Sequence, residues 1–306
     1  MFVNHASASC VNTYRWCPFQ YFQKYDLQME TATGKAAVTG KIAHEVFEKL
    51  ALANKAGETV PDPMGLLYAA WDRHTAENPQ IALRRETSRG EAADFRKVRT
   101  FVETILSDPH YNPSKLKVIS VEDRFELEMP GQEWQVTRRD GTTGQFVING
   151  YMDLVHEINP AMAEIVDFKT GRRADFATGK PKDFDAMRRD VQVRLYHLAA
   201  LHLLPHPTVM VTFHWLADGG PVTVPLTFED AIATTAAVWR WFQRVRHDTV
   251  IPRSRTWRCK RICPFGRTGI CDRVWSDLNT MGHEYVQCRY QGMNLEKQKQ
   301  KANCAV

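Results

Sequence analysis

The sequence lacks the features that would place it in a membrane or mark it for export. Its 306 residues contain no apolar run of about 18 residues, the length that a membrane-spanning helix needs. Residues 1–16 are polar and lack the apolar core of a signal peptide. A Gly-x4-Gly-Lys-Ser/Thr motif is also absent, so the sequence predicts no P-loop motor. These absences favour a cytoplasmic protein with no membrane partner.

A disulfide framework and a strong excess of charge are missing as well. Seven cysteines, an odd number in a chain without an export signal, favour thiols that are free or bound to metal. The net charge is only +5, which is compatible with a polyanionic partner but does not require one. The length allows one large domain or two small ones, with a substantial core.

The hydrophobic pattern predicts an α/β fold, a central mixed sheet flanked by helices. Helices are predicted over residues 7–30 with a break at Pro18, 40–54, most of 62–110, 184–204 and 228–247. Strands are predicted over residues 118–127, 134–138, 145–156, 164–168, 209–216 and 221–226. Asp140-Gly141 is a hairpin signal between two of these strands.

Two carboxylates and one lysine fall on adjacent predicted strands. Asp167 and Lys169 are two residues apart, so they share one face of their strand. The turn signal Asn159-Pro160 lies midway between Asp153 and Asp167 and predicts a hairpin that places these two residues opposite each other. Like charges opposite one another destabilise a sheet, so we expect a divalent cation between them. The alternative is that Asp167 and Lys169 form an ordinary surface ion pair.

Four further polar residues are weaker candidates for the same site. His44 lies at the edge of the apolar stripe of its predicted helix, and an imidazole suits transition ions, although a histidine there is usually a boundary residue. Gln192 and Tyr196 are four residues apart and share one helical face, which could be ordinary helix surface. Glu122 is a less favoured carboxylate, because Asp123 flanks it on an amphipathic strand.

Together these motifs resemble the RecB-like branch of the PD-(D/E)XK nuclease superfamily. They are Gly-x-x-x-His at 40–44, Gly-Tyr-Met-Asp at 150–153, Asp-Phe-Lys-Thr-Gly at 167–171 and Gln-x-x-x-Tyr at 192–196. The resemblance implies a restriction-endonuclease-like sheet with flanking helices and a nuclease that uses Mg²⁺ or Mn²⁺.

The same resemblance implies roles for individual residues. The metal ligands would be His44, Asp153, Asp167 and the carbonyl of Phe168. Lys169 would be catalytic, and Gln192 and Tyr196 would correspond to the family motif on the helix that follows the catalytic strands, positioning backbone or solvent.

The cysteines resemble those of the iron–sulfur exonucleases in this superfamily, which include the CRISPR-adaptation nucleases. Cys17 lies near the N-terminus, and Cys259, Cys263 and Cys271 are grouped near the C-terminus. Four thiolates are the usual ligands of a 4Fe–4S cluster. The alternative is a four-cysteine zinc site, for which only Cys259 and Cys263 have the usual spacing. Cys10 is a competing fourth ligand.

The sequence predicts four segments. They are an N-terminal helical segment 1–30 that contributes one cluster cysteine, a RecB-like nuclease core 31–250 with a helical insertion at about 60–112, an iron–sulfur module 251–280, and a basic polar tail 281–306. The iron–sulfur module is rich in arginine and aromatic residues, which suit single-stranded nucleic acid.

The predicted function is that of a metal-dependent DNA exonuclease acting on single-stranded DNA ends. Because the sequence predicts no P-loop motor, any unwinding would come from a helicase or recombination partner. Two alternatives stay open at this point. One is a structure-specific endonuclease on the same fold, and the other is a non-catalytic DNA-binding subunit of a recombination or adaptation complex.

Overall fold

The computed structural model describes residues 1–175, 179–218, 220–248 and 251–295. The chain divides into two compact units. The sheet unit comprises Thr33–Leu127 and Asn149–Thr234, and the terminal unit comprises Met1–Ala32, Glu128–Ile148 and Thr235–Val306. Within the described ranges, no helix is long and apolar enough to cross a membrane.

The elements are numbered in chain order. The helices are α1 (Ala8–Trp16), α2 (Pro18–Tyr21), α3 (Lys35–Ala56), α4 (Pro63–Glu77), α5 (Ala93–Ser107), α6 (Phe184–Arg188), α7 (Val191–Leu203), α8 (Phe228–His247), α9 (Trp257–Arg261), α10 (Pro264–Arg267), α11 (Ile270–Met281) and α12 (His283–Tyr290). A π-helix covers Phe22–Asp26, and a 3-10 helix covers Gln132–Trp134. The strands are β1 (His5–Ala6), β2 (Glu86–Thr87), β3 (Gly90–Glu91), β4 (Val118–Glu128), β5 (Gln135–Thr137), β6 (Thr143–Gln145), β7 (Val147–Asn159), β8 (Met162–Lys169), β9 (Thr208–Trp215) and β10 (Gly220–Pro225).

The sheet is mixed, as the sequence predicts. Strands β7, β8, β9 and β10 are neighbours in that order, β4 also pairs with β7, and β1 pairs in parallel with the start of β7. The pairs β7/β8 and β9/β10 are antiparallel, whereas β8 and β9 are parallel. A parallel pair needs a crossover connection, and α6 and α7 lie in the segment between β8 and β9.

The main core of the sheet unit lies between α3, α4, α5 and one face of β7 and β8. Leu154, Val166 and Phe168 are buried in this core with the apolar residues of the three helices. Because side chains alternate along a strand, the odd-numbered Asp153, Asp167 and Lys169 lie on the opposite face. The apolar packing of one face therefore leaves the other face for a polar site.

The terminal unit brings the two ends of the chain into one core. Phe19 and Phe22 are buried together with Phe265 and Tyr290. Backbone hydrogen bonds support this arrangement, since the amide of Phe19 donates to the carbonyl of Pro252 at 3.2 Å. A separate hairpin of β5 and β6 confirms the turn signal at Asp140-Gly141.

Three segments differ from their predicted secondary structure. The helix predicted over 184–204 is divided into α6 and α7. The division arises because the Asp190 carboxylate accepts a hydrogen bond from the backbone amide of Gln192 at 2.9 Å and so caps the start of a new helix. The insertion predicted as mostly helical contains the short hairpin of β2 and β3. The predicted polar tail includes α12, whose Val286 and Tyr290 are buried in the terminal core, and residues 296–306 lie outside the described residues.

Candidate active site

The β7/β8 hairpin brings Asp153 and Asp167 together. Their strands pair in a register that includes Leu154 opposite Val166, and one further step places Asp153 opposite Asp167. The Asp153 carboxylate accepts the Phe168 amide at 2.8 Å, which fixes its orientation. The prediction from the turn signal is therefore confirmed for this pair of residues.

Helix α3 supplies His44 to the same site. Its Nε2 lies 2.7 Å from the Phe168 carbonyl oxygen, and its Nδ1 lies 3.4 Å from Asp153 Oδ2 and 3.3 Å from Glu122 Oε1. Burial alone would lower the pKa of His44, but the charge of Asp153 and the hydrogen bond to Glu122 raise the pKa to about 9. All the partners of the two ring nitrogens are acceptors, so a protonated imidazole can donate from both nitrogens.

Gly40 allows α3 to approach the end of β8. A Cβ atom at this position would lie 3.1 Å from Thr170 Oγ1, closer than an ordinary contact. Since Gly40 is one helical turn before His44, the small residue sets the distance between the imidazole and the strand that carries Asp167. This explains why the glycine and the histidine occur as one motif.

Lys169, Gln192 and Tyr196 form a hydrogen-bonded group around Asp167. The Lys169 ammonium lies 2.5 Å from Asp167 Oδ2 and donates to Gln192 Oε1 at 2.8 Å. The side-chain amide of Gln192 in turn donates from Nε2 to Asp167 Oδ1 at 2.7 Å. The Tyr196 hydroxyl donates to the carbonyl oxygen of Tyr151 and receives a hydrogen bond from Gln192 at 2.6 Å. The structure thus joins all the residues of the predicted helix motif to the strands.

The site holds an excess of buried negative charge. Burial and the neighbouring charge of Asp167 raise the pKa of Asp153 to about 7, although His44 and Lys169 oppose this effect. Burial would lower the pKa of Lys169, but the charges of Asp167 and Asp153 raise it. A divalent cation would relieve the repulsion between the carboxylates, and the oxygen and imidazole donors suit such an ion. The residues present therefore fit a metal site.

Glu122 belongs to this site more closely than the sequence suggests. Among the described His, Cys, Asp and Glu side chains, only those of His44, Glu122 and Asp153 bring three ligand atoms within 4.8 Å of one another. Asp167 lies beside this trio and is turned towards Lys169 and Gln192. Glu122 has a φ of 44°, in the left-handed region that is rare for a residue in a strand. This backbone conformation interrupts the alternation of β4, and no local sequence signal reveals it.

The strain at Glu122 leads to a first prediction. Glu122→Gly and Glu122→Ala both remove the carboxylate and are expected to weaken Mn²⁺ binding. Glycine adopts a positive φ without strain, so Glu122→Gly should be about 1 kcal/mol more stable than Glu122→Ala. Urea unfolding of the two variants measures the difference. Equal or reversed stabilities would show that the backbone is not strained at this position.

The four predicted cluster cysteines all lie in the terminal unit. Burial raises the pKa of Cys263, and the charges of Cys17 and Cys259 raise it further. Burial likewise raises the pKa of Cys271 to about 12, with added contributions from Cys263 and Cys17. Cys10 has different surroundings, because its thiol faces the carbonyl of His5 at 3.9 Å. The structure therefore groups Cys17, and not Cys10, with the three downstream thiols.

Hydrogen-bond donors lie beside three of these four sulfur atoms, whereas the Cys259 thiol donates to the carbonyl of Ser254 at 3.1 Å. The backbone amide of Ser254 donates to Cys17 Sγ at 3.4 Å, and the backbone amides of Phe265 and Gly266 face Cys263. The Arg253 guanidinium lies beside Cys271. Such donors stabilise thiolates over thiols. They oppose the effect of burial, which nevertheless raises the pKa of both Cys263 and Cys271.

The fold and the donor set of the site are those of the metal-dependent nucleases, which hydrolyse phosphodiester bonds with carboxylate-bound cations. A family model of the PD-(D/E)XK nuclease superfamily matches residues 5–272, which is most of the chain. The chain belongs to this superfamily. Its members use divalent metals, and membership implies a nuclease with DNA as its substrate.

Solved structures resemble the chain only distantly. The "Putative exonuclease" from Eubacterium rectale has a TM-score of 0.49 and 13% identity, over 85% of this chain and 93% of that chain. The protein SSO0001 has a TM-score of 0.39 and 12% identity, over 87% of this chain and 86% of that chain. No curated protein matches the chain. The family assignment therefore depends on the family model and not on these likenesses.

Proposed function

We propose that this protein is a Mg²⁺- or Mn²⁺-dependent exonuclease of the RecB-like, iron–sulfur branch, acting on single-stranded DNA ends. The observation that carries the proposal is the convergence of His44, Glu122 and Asp153 beside the group of Asp167 and Lys169. A surface lysine rarely pairs with a carboxylate that is almost fully buried. The surface-pair alternative for Asp167 and Lys169 is thereby disfavoured, since Asp167 is only 2% exposed.

The metal would be held by His44, Asp153, Asp167 and the carbonyl of Phe168, with Glu122 as an additional carboxylate. When bound, a divalent cation polarises the phosphate and lowers the pKa of a coordinated water. A histidine among the ligands suits Mn²⁺ better than Mg²⁺, because an imidazole is a softer donor than an oxygen. We therefore expect faster cleavage with Mn²⁺.

Lys169 would act on the attacking water or on the charge that develops at the phosphate. Its ammonium is held between Asp167 Oδ2 and Gln192 Oε1, so its position is fixed before substrate arrives. Preorganised donors of this kind stabilise developing negative charge without rearrangement. Gln192 and Tyr196 would serve as positioning residues, because they orient Asp167, Lys169 and the backbone of Tyr151.

The cysteine site favours a 4Fe–4S cluster over zinc. Structural zinc sites usually present pairs of cysteines separated by two to four residues, and only Cys259 and Cys263 form such a pair. The N–H donors around Cys17 and Cys263 suit the sulfur ligands of a cluster.

A second prediction concerns Gly266, which lies between Cys263 and Cys271. A Cβ atom at Gly266 would overlap the backbone carbonyl of Cys259, so Gly266→Ala must move a segment that carries a ligand. We expect this variant to lose most of its iron although no cysteine is changed. Gly34→Ala is the matched control, because nothing lies within 4 Å of its added Cβ. Normal iron content in Gly266→Ala would contradict the assigned ligand geometry.

A third prediction tests the proposed activity itself. A linear, end-labelled single strand should be degraded with Mn²⁺, and more slowly with Mg²⁺. A closed circular single strand of the same sequence should resist, because it offers no free end. Gel analysis of both substrates under identical conditions measures the difference. Rapid cutting of the circle would favour the structure-specific endonuclease, and failure to cut either would favour a non-catalytic DNA-binding subunit.

A partner would be needed for duplex substrates. The sequence contains no P-loop motor, so separation of the strands would fall to a helicase or recombination partner. Addition of a helicase to blunt duplex DNA in the same assay would reveal this dependence as a gain in the rate of degradation.

A further inference from the structure

An exposed group of two tryptophans and one arginine lies beside the cysteine site in the terminal unit. Trp16 and Trp257 are 47% and 46% exposed, respectively. The guanidinium of Arg258 lies 5.1 Å from the centre of the Trp16 ring and 5.8 Å from that of Trp257. Both distances are within the range of cation–π contacts. We call Trp16, Trp257 and Arg258 the indole–guanidinium group.

Packing of the terminal core does not account for this group. Neither Trp16 nor Trp257 belongs to the buried cluster that contains the cysteines, whereas Trp275 packs against that cluster and contacts Phe19 at 5.0 Å between ring centres. Among the described residues, Arg258 forms no ion pair. Two half-exposed indoles that hold a cation between them are therefore available to a ligand.

The charge around the group indicates the kind of ligand. The segment 251–273 contains seven basic residues and one acidic residue, Asp272. Asp272 is paired with Arg253, and no other basic residue of the segment has an ion-pair partner in the described part of the chain. The surface is thus strongly cationic and attracts a polyanion. Aromatic rings that lie among cations suit unpaired bases, whose faces are exposed in a single strand and hidden in a duplex.

We propose that Trp16, Arg258 and Trp257 form a stacking site for unpaired bases of single-stranded DNA. Bases would stack on the two indoles, and the Arg258 guanidinium would contact a base face or a neighbouring phosphate. This inference rests on the proposed action on single strands, and it assigns binding to residues that take no part in hydrolysis.

The test measures binding in the absence of hydrolysis. Fluorescence anisotropy of a labelled oligothymidylate in EDTA gives Kd for the wild type and for Trp16→Ala, Trp257→Ala and Arg258→Ala. Each tryptophan variant should weaken binding by about tenfold, as expected for the loss of one stacked base. Tyr68→Ala and Arg85→Ala are matched controls, because they remove an exposed cation–π pair from the sheet unit and should leave Kd unchanged.

The dependence of binding on salt separates stacking from a general loss of structure. The tryptophan variants should keep the wild-type slope of log K against log salt, while Arg258→Ala should reduce its magnitude by about 0.7 if it neutralises one phosphate. Trp16→Phe and Trp257→Phe should retain part of the affinity and the full iron content, which covers the case in which an alanine variant does not fold. Affinity for a blunt duplex should change little in any tryptophan variant.

Two results would overturn the inference. One is wild-type affinity for the oligothymidylate in variants that keep the wild-type metal content and thermal midpoint, and the other is an equal loss for single strand and duplex. A third result, in which the tryptophan variants lose binding to phosphatidylserine vesicles but not to the oligothymidylate, would assign the group to a membrane surface instead. Since cleavage is not measured, these outcomes are independent of whether the protein proves to be an exonuclease.

Discussion

Asp153→Asn and Asp167→Asn are expected to lower the rate of DNA cleavage by about a thousandfold each. A bound cation contributes several kcal/mol of transition-state stabilisation, and each 1.36 kcal/mol corresponds to a tenfold change in rate. A neutral amide is a much poorer ligand for a hard cation than a carboxylate. Single-turnover cleavage of a linear strand with Mn²⁺ measures the loss.

The loss should not result from unfolding. Burial and the charge of Asp167 raise the pKa of Asp153 to about 7, so a neutral amide at this position relieves repulsion in the folded, metal-free protein. Binding to DNA in EDTA should persist or strengthen, because one negative charge is removed from the site. Asp123→Asn is the matched control, since this exposed carboxylate adjoins Glu122 in β4 and should leave the rate unchanged. Robust cleavage by either site variant would exclude the proposed metal ligands.

The sequence predicted the strands that carry the site because the relevant signals are local. Asn159-Pro160 marks the turn, and the alternation around Asp167 determines which side chains face the core. These two features place Asp153 and Asp167 on one face, and the β7/β8 register confirms it. His44 could be predicted only through its motif, because a single histidine on a helix carries no information about the strand that it contacts.

Other features depend on contacts that a local pattern does not contain. The positive φ of Glu122 turns its carboxylate towards His44, and β-strand alternation cannot reveal such a change. The division between α6 and α7 depends on whether Asp190 caps a helix or continues one, and the apolar spacing is similar in both cases. The two units are each assembled from separated segments, which composition along the chain does not indicate.

The cysteine site shows the same limit on a larger scale. Cys17 and Cys259 are separated by most of the chain, so their spacing in the sequence does not show that they belong to one metal site. The resemblance to iron–sulfur exonucleases predicts that the two cysteines share one metal site. The terminal core, which includes Phe19 and Phe265, brings their two chain segments together. Sequence alone left Cys10 as a competing ligand, and its contact with the carbonyl of His5 disfavours that alternative.

The second large effect is expected from the loss of Cys17. Protein purified without oxygen should be brown and contain about four irons and four sulfides per chain. Cys17→Ala should lose the cluster as completely as Cys263→Ala, because each removes a thiolate from the same site. The thermal midpoint should fall by about 10 °C or more, since metal binding contributes directly to the stability of the folded state. Iron and sulfide analysis and thermal unfolding measure both effects.

Cys10→Ala distinguishes loss of a ligand from loss of a buried thiol. Cys10 is fully buried, so its replacement leaves a small cavity and lowers stability modestly, but it should leave the iron content at the wild-type value. If Cys10→Ala loses iron and Cys17→Ala does not, Cys10 is the fourth ligand. A colourless wild-type protein with one zinc per chain would refute the iron–sulfur cluster. That outcome would leave the nuclease site intact, because His44, Asp153 and Asp167 belong to the sheet unit and the cysteines belong to the terminal unit.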